Sequence, residues 1–330
     1  LTWSPDGTQL AVAMAVRCKS SKLVTAPKKP KGAKWARKPI VIDRARYRTN
    51  ASGFLELAYD HIFVVPADGG TARQLTHGDF NHGSSLSFRP DGSEILCSAN
   101  RDTDLELQSR EADIFAVHLT SGTIRQLTDE PGVESRPTVS PDGQSVAYLK
   151  TQNTRDPFVP TDVVVMDISG SRARNLTKVI DRRLGDPRWL SATQITYTFQ
   201  NRGENNIGVV ATSGARGTVV EGIGGTTIGR PYVSGTYDAR ANGGLVFTKG
   251  SASRPADLYA LRDGRSVRLT ALNEDLLAQR DLGELRSFTY PSSLDGLEIQ
   301  GWMITPPGYE EGKRCPLILE IHGGPRLAYG

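Results

Sequence analysis

Apolar residues along this chain gather in short runs, and the runs recur with the same polar punctuation between them. Trp3-Ser-Pro-Asp-Gly7 leads into an apolar stretch at 10–16, Phe88-Arg-Pro-Asp-Gly92 into one at 95–99, and Val139-Ser-Pro-Asp-Gly143 into one at 146–149. Runs this short, bounded by turn formers, predict strands rather than helices. Pro-Asp-Gly is a turn with a mechanism: proline presets φ, and glycine supplies a positive φ. Each unit closes with a second pair of runs. These are 61–65 with Ala72-Arg-Gln-Leu-Thr76, 113–119 with Ile124-Arg-Gln-Leu-Thr128, and 162–168 with Ala173-Arg-Asn-Leu-Thr177.

The spacing is regular: 51 residues from Asp91 to Asp142, 52 from Leu75 to Leu127, and 49 from Leu127 to Leu176. Two looser units follow, one through 195–199, 207–210 and 218–220, the other through 245–248, 257–261 and Val267-Arg-Leu-Thr270. Four short strands repeated at this period predict the blades of an all-β propeller, with five blades visible over 1–285. A plain β-sandwich gives no reason for the period.

The first unit is stretched by about 33 residues between its second and third strands, predicting a hairpin insertion at about 17–59. From Arg17 to Arg48 there are twelve Lys/Arg and one acid, Asp43. That +11 exceeds the whole chain's +4, so the remainder carries −7. With Trp35 and Tyr47 interleaved, the run reads as a solvated arm or as a nucleic-acid surface; the first is the expectation, and no nucleic-acid partner is expected.

The pattern changes after Thr270. Residues 272–285 lack strand periodicity and read as a linker. Ser287-Phe-Thr-Tyr290, a Leu294-Asp-Gly296 turn and alternating apolar residues over 297–305 predict a hairpin. Pro306-Pro-Gly-Tyr309 ends it. Pro316-Leu-Ile-Leu-Glu-Ile321 then reads as a buried strand, stopping at His322-Gly-Gly-Pro325. Paired glycines at a strand's end permit a sharp turn and a close approach to the main chain.

Composition narrows the classes. The 34 Gly and 19 Pro suit many tight turns. Three distant cysteines, Cys18, Cys97 and Cys315, argue against a disulfide framework or a structural zinc site and favour a reducing, cytoplasmic setting. Leu1 is not a start methionine, so a lost leader is compatible with the sequence. No run is long enough to span a membrane, and no membrane partner is expected. His61, His77, His82 and His118 show no ligand spacing, so neither a metal nor a cofactor is expected. Glu204 and the carboxylates Asp102, Asp104, Glu106 and Glu111 fall in loops, where solvated charge is the default reading.

A strand running into His-Gly-Gly is how α/β-hydrolases present one oxyanion-hole N–H. His322-Gly-Gly-Pro325 with Tyr329-Gly330 resembles the prolyl oligopeptidase family, in particular its acylaminoacyl-peptidase-like branch. So do the domain-entry phrase Leu294-Asp-Gly-Leu-Glu-Ile-Gln-Gly-Trp302, the Pro306-Pro-Gly-Tyr309 turn and, less specifically, Lys34-Trp-Ala-Arg-Lys-Pro39 within the arm. The resemblance implies a propeller over 1–285 and the first strands of an α/β-hydrolase domain over 286–330, cut after the loop. It implies a serine peptidase acting on short peptides, with the propeller gating access. Gly324 would supply the oxyanion-hole N–H, while Gly323 and His322 shape the loop. The Ser-Asp-His triad follows this loop in the family's chain order, and no Gly-x-Ser-x-Gly occurs in these 330 residues. Substrate preference and oligomeric state are not readable. The alternative is a TolB-like propeller serving as a protein-interaction module, which gives no reason for 287–330.

Overall fold

In the computed structural model, residues 19–26, 37–39, 43, 51, 84, 109, 157, 228–231, 325–327 and 330 are left undescribed; every other residue is described. Much of the arm's basic run, together with Pro325 and Gly330 of the loop motif, therefore lies outside the described residues. The chain forms two compact units, 1–139 with 169–171 and 140–168 with 172–330.

Unit 1 begins with β1 (Thr2–Trp3), β2 (Gln9–Arg17), β3 (Arg48–Thr49), β4 (Gly53–Phe54), β5 (Ala58–Pro66) and β6 (Arg73–Gln74). The first sheet has the order β1-β2-β5-β6, and β3 pairs only with β4 inside the insertion. The β2–β5 pairing runs from Gln9 opposite Pro66 to Arg17 opposite Ala58, so the insertion leaves the sheet as a continuous hairpin. Next come β7 (Ser87–Phe88), β8 (Glu94–Ala99), β9 (Asp113–His118) and β10 (Ile124–Gln126), in order β10-β9-β8-β7, and then β11 (Val133–Val139). Ile62, Val64 and Leu75 of the first sheet and its flank pack against Phe88, Ile95, Cys97 and Val117 of the second. Ile95, Leu96 and Cys97 are all fully buried, so β8 is covered on both faces. That is why its sequence reads as a solid apolar run rather than an alternating one.

Unit 2 contains β12 (Ser145–Thr151), β13 (Thr161–Asp167) and β14 (Arg174–Asn175), which follow β11 in the third sheet. The fourth sheet is β15 (Leu184–Ser191), β16 (Gln194–Asn201), β17 (Glu204–Ala211) and β18 (Arg216–Ile223). The fifth is β19 (Tyr237–Ala239), β20 (Leu245–Ser251), β21 (Arg254–Arg262) and β22 (Arg265–Arg268). The fourth sheet is buried on both sides. Ile195, Tyr197 and Val210 meet Ala147, Leu149, Val163 and Val165, while Ile207, Val220 and Ile223 meet Tyr237, Leu245 and Phe247. All five sheets are antiparallel meanders in chain order, as the period implies. The sequence reading passed over β15 and β19. Their apolar residues, such as Leu184, Trp189 and Tyr237, stand too far apart to read as runs.

The repeated motifs have repeated geometry. The three Pro-Asp-Gly turns join β1 to β2, β7 to β8 and β11 to β12, with φ near +71° at Gly7, Gly92 and Gly143. In two of them the serine hydroxyl donates to the aspartate, Ser4 to Asp6 at 2.6 Å and Ser140 to Asp142 at 2.5 Å. These bonds hold both carboxyls below the usual range. Arg89 replaces that serine in the second turn and pairs with Asp91.

The Arg-x-Leu-Thr motif is a fastener with three parts. Its threonine hydroxyl accepts an N–H from the neighbouring strand, Ile62 to Thr76, Ile114 to Thr128 and Val163 to Thr177, and Thr270 of the variant Val267-Arg-Leu-Thr270 accepts that of Leu258, all at 2.8–2.9 Å. Its leucine N–H donates to the carbonyl of that same residue. Its arginine reaches forward to the next sheet's outer turn, Arg73 to Leu119 O at 2.6 Å, Arg125 to Ser169 O at 3.4 Å and Arg174 to Thr212 O at 3.2 Å.

Beyond the fifth sheet the expected linker holds α1 (Glu274–Leu277), whose Glu274 receives Arg254 and Arg268. The expected hairpin is β23 (Leu285–Pro291) paired with β24 (Glu298–Ile304). The expected strand at 316–321 is not formed. The segment is irregular, and Leu317, Ile318, Leu319 and Ile321 are 76–91% exposed. A buried strand needs pairing on its edges and layers over its faces. Among the described residues, no strand lies against it.

Candidate active-site loop

The hairpin delivers the chain to the loop through two locked turns. At its base Thr305, which is buried, donates its N–H to Glu284 O at 3.0 Å and accepts the Glu284 N–H on its hydroxyl at 3.2 Å. At its tip Asp295 accepts the Leu297 N–H at 3.2 Å, and hydrogen bonding, led by Ser292, lowers its pKa. The Pro306-Pro-Gly-Tyr309 turn then closes with the Tyr309 N–H on Pro306 O at 3.2 Å and Gly308 at φ +67°. From there an exposed, irregular segment reaches His322.

The His322 Nδ1–H donates to the carbonyl of Gly323 at 2.8 Å, which fixes the ring's tautomer and folds the side chain onto its own loop. A Cβ added at Gly323 would meet nothing within 4 Å, and the residue does not use the left-handed region. Gly323 therefore leaves the approach to the main chain open; it is not demanded by an unusual backbone angle. The ring of Tyr329 lies 5.1 Å from that of His322, and its hydroxyl donates to Glu320 at 3.1 Å. One tyrosine thus touches both the histidine and Glu320 two residues before it.

The fourth sheet and the segment after it meet Ala328 and Tyr329, which follow this loop. Arg202 and Gly203, at φ +50° and +78°, form the two-residue turn between β16 and β17. A Cβ at Gly203 would overlap the indole of Trp302 and lie 3.1 Å from the carbonyl of Tyr329. Tyr232 forms an antiparallel bridge to Tyr329, with the Val233 N–H on Ala328 O at 2.9 Å and the two rings edge to face at 5.0 Å. The Tyr232 segment is itself fixed to β17, since Asn205 donates to Ser234 O at 3.1 Å. Sequence reading picked out Trp302 and Tyr329 but missed Gly203, Tyr232 and Asn205. An Arg-Gly dipeptide between two strands signals a turn and says nothing about what rests on it.

The remaining candidates fall elsewhere. His61, His77 and His82 come together in unit 1, with ring centroids at 6.3 and 5.6 Å from His61. His82 is buried, its Nδ1–H on Asp60 O at 3.2 Å and its Nε2 accepting from Arg101 at 3.0 Å. Burial, aided by the Arg101 charge, takes its pKa down to about 4. His118 accepts the Ser121 N–H at 3.2 Å, in the turn before β10. Among the described residues no three His, Cys, Asp or Glu are grouped to hold a metal ion. Asp102, Asp104, Glu106 and Glu111 all lie between β8 and β9. Glu106 accepts the Ala45 N–H at 2.9 Å and Glu111 the Gly132 N–H at 2.7 Å. Burial, then Glu134, Asp102 and Glu111, raise Asp113 to about 6. Glu204 opens β17 beside the Gly203 turn.

Residues 40–160 match the family model of the dipeptidyl peptidase IV (DPP IV) N-terminal region. An uncharacterized peptidase, YuxL, of Bacillus subtilis is 24% identical over 99% of this chain and 50% of its own length. Dipeptidyl-peptidase 5 of Porphyromonas gingivalis is 22% identical over 81% of this chain and 40% of its own. The chain thus spans about half the length, or less, of these curated relatives. Among solved structures, the Pyrococcus horikoshii acylaminoacyl peptidase superposes with a TM-score of 0.70 at 18% identity, covering 99% of this chain and 46% of that one. Repeat, loop and comparisons converge: the chain is similar to the dipeptidyl peptidase IV N-terminal region over 40–160 and to curated peptidases along most of its length, and it shares the fold of an acylaminoacyl peptidase.

Proposed function

We propose that this chain is the access and entry portion of a serine peptidase acting on short peptides. The five meanders are blades of a propeller that limits which chains reach the active site. Residues 286–330 begin the α/β-hydrolase domain. The Gly324 N–H is one oxyanion-hole donor. The nucleophilic serine, its acid and its base belong to sequence that follows this loop. The observation that carries the reading is the His322-Gly323-Gly324 loop, open to approach at Gly323 and with Tyr329 against His322.

Acyl transfer through serine needs an activated hydroxyl and donors aimed at the developing oxyanion. This chain supplies one donor and no elbow serine. The 330 residues alone are therefore expected to remain unlabelled by a serine-reactive fluorophosphonate, and a reading frame extended through a whole hydrolase domain to be labelled and to cleave peptides. In that longer protein Gly324→Pro removes the donor and Gly324→Val crowds it. Losing one such donor costs about 3–4 kcal/mol of transition-state stabilisation, roughly a 10²–10³-fold fall in kcat. Unchanged turnover in both variants, or stoichiometric labelling of a serine within 1–330, would overturn the reading.

A further inference from the structure

We infer that the turn at Arg202-Gly203 and the side chain of Tyr232 are positioning elements of the active site, setting the His322–Gly324 loop from the fourth sheet. This deepens the proposed function and rests on it. Three contacts carry the inference, and each comes from a different atom group.

The first is the close approach of Trp302 to Gly203. The indole occupies the space a Cβ would take, so only glycine admits the ring at this depth. The second is the Tyr329 carbonyl, 3.1 Å from the same virtual Cβ, which brings the far side of the loop to the same turn. The third is the bridge at Tyr232. Its neighbour's N–H donates to Ala328 O at 2.9 Å, and its ring meets the edge of Tyr329, whose own ring meets His322. Position thus passes from the fourth sheet to Tyr329 and on to His322 and the two glycines.

The support beneath is held by hydrogen bonds along its length. The turn closes a hairpin paired without interruption from Asn201–Glu204 to Gln194–Ala211. The Tyr232 segment is tied by Asn205 to Ser234 O, by the Thr227 hydroxyl to Tyr232 O at 3.2 Å, and by the Gly235 N–H to the Thr226 hydroxyl at 3.0 Å. Gly235 itself, at φ +119°, sits so close to Gly224 that a Cβ would lie 2.8 Å from its nitrogen. An oxyanion donor displaced by a fraction of an ångström loses much of its effect, because the donor must meet the oxygen where charge develops. A sheet that fixes the loop therefore acts on turnover without touching the substrate.

The test uses the full-length enzyme and this chain in parallel. Gly203→Ala introduces a Cβ at positive φ, so Gly264→Ala serves as the strain control: Gly264 has φ +73° in an equivalent turn with nothing within 4 Å. Gly203→Ala and Tyr232→Ala are expected to lower kcat about 10-fold or more with KM changed less than 3-fold. Gly264→Ala and Tyr232→Phe should keep kcat within 2-fold, the latter because the ring contact survives. In the 330-residue chain with Trp3, Trp35 and Trp189 replaced by phenylalanine, so that emission reports Trp302 alone, Gly203→Ala should shift the indole emission to the red and raise its quenching by acrylamide. If kcat holds in both Gly203→Ala and Tyr232→Ala while the unmutated enzyme is active, the inference fails and the proposed function stands. Unchanged Trp302 emission and quenching in Gly203→Ala would also overturn it. An inactive unmutated full-length enzyme would instead sink the proposed function, with the emission experiment still deciding the contact.

Discussion

The buried histidine of unit 1 gives a sharp pH prediction. His82 has its Nδ1–H on a carbonyl and its Nε2 accepting from a guanidinium, so both nitrogens are committed to the neutral ring. Protonation would set a second cation against Arg101. The folded-state value is about 4, against 6.5 for the free side chain. The unfolded chain therefore binds the proton first, so stability is whole above 6.5 and is lost as pH falls toward 4. Between pH 7 and pH 5 the expected loss from this one group is about 2 kcal/mol. His61, whose pKa burial also lowers, acts in the same direction. Asp113, raised to about 6, acts against both, because its folded form holds a proton that the unfolded chain has released. The assay is therefore a difference: urea titrations of the chain and of His82→Gln at pH 7 and pH 5, read by tryptophan emission. The parent should lose about 2 kcal/mol more than the variant on acidification, since the other groups cancel. An identical pH slope in the two proteins would refute the argument, whatever the variant's absolute stability.

Thr177→Val keeps the shape and removes the hydroxyl that accepts the Val163 N–H at 2.8 Å. The expected cost is about 1–3 kcal/mol for a buried N–H left unmade, with Thr177→Ser nearly silent, both read by urea unfolding. Gly170→Ala places a Cβ 2.5 Å from Leu127 O at φ +94°, whereas Gly214→Ala has φ +99° and nothing nearby. The first should destabilise by about 2 kcal/mol or more and the second by about 1, so equal shifts in Tm would remove the close approach as the cause.

The sequence was most legible where one chemical device recurs. Pro-Asp-Gly and Arg-x-Leu-Thr announce a period because each repeat solves the same local problem, a turn in one case and an unpaired strand N–H in the other. β15 and β19 were hidden because they carry no such device: bulges between Gly185 and Arg188 break the alternation of β15, and β19 is three residues long. The run at 316–321 misled for a different reason. Apolar composition marks what a segment would bury, but forming a strand also takes a neighbour, and pattern reading along one chain does not see neighbours. The candidate loop shows the same division. His322, Gly323 and Gly324 stand together in sequence and were found; Gly203 and Tyr232 lie about 120 and 90 residues earlier and are joined to it only by folding.

The forward reach of Arg73, Arg125 and Arg174 gives the meander series a direction. Each of the first three sheets is completed by a carbonyl that the ribosome has not yet made when the sheet itself emerges, 38–46 residues later in the chain. During synthesis each of these three sheets thus waits for its successor to supply that carbonyl. Order of assembly then follows order of translation, and an interruption strands only the most recent sheet. The same vectorial logic makes damage local: removing one arginine loosens a single joint between neighbours and leaves the joints on either side intact.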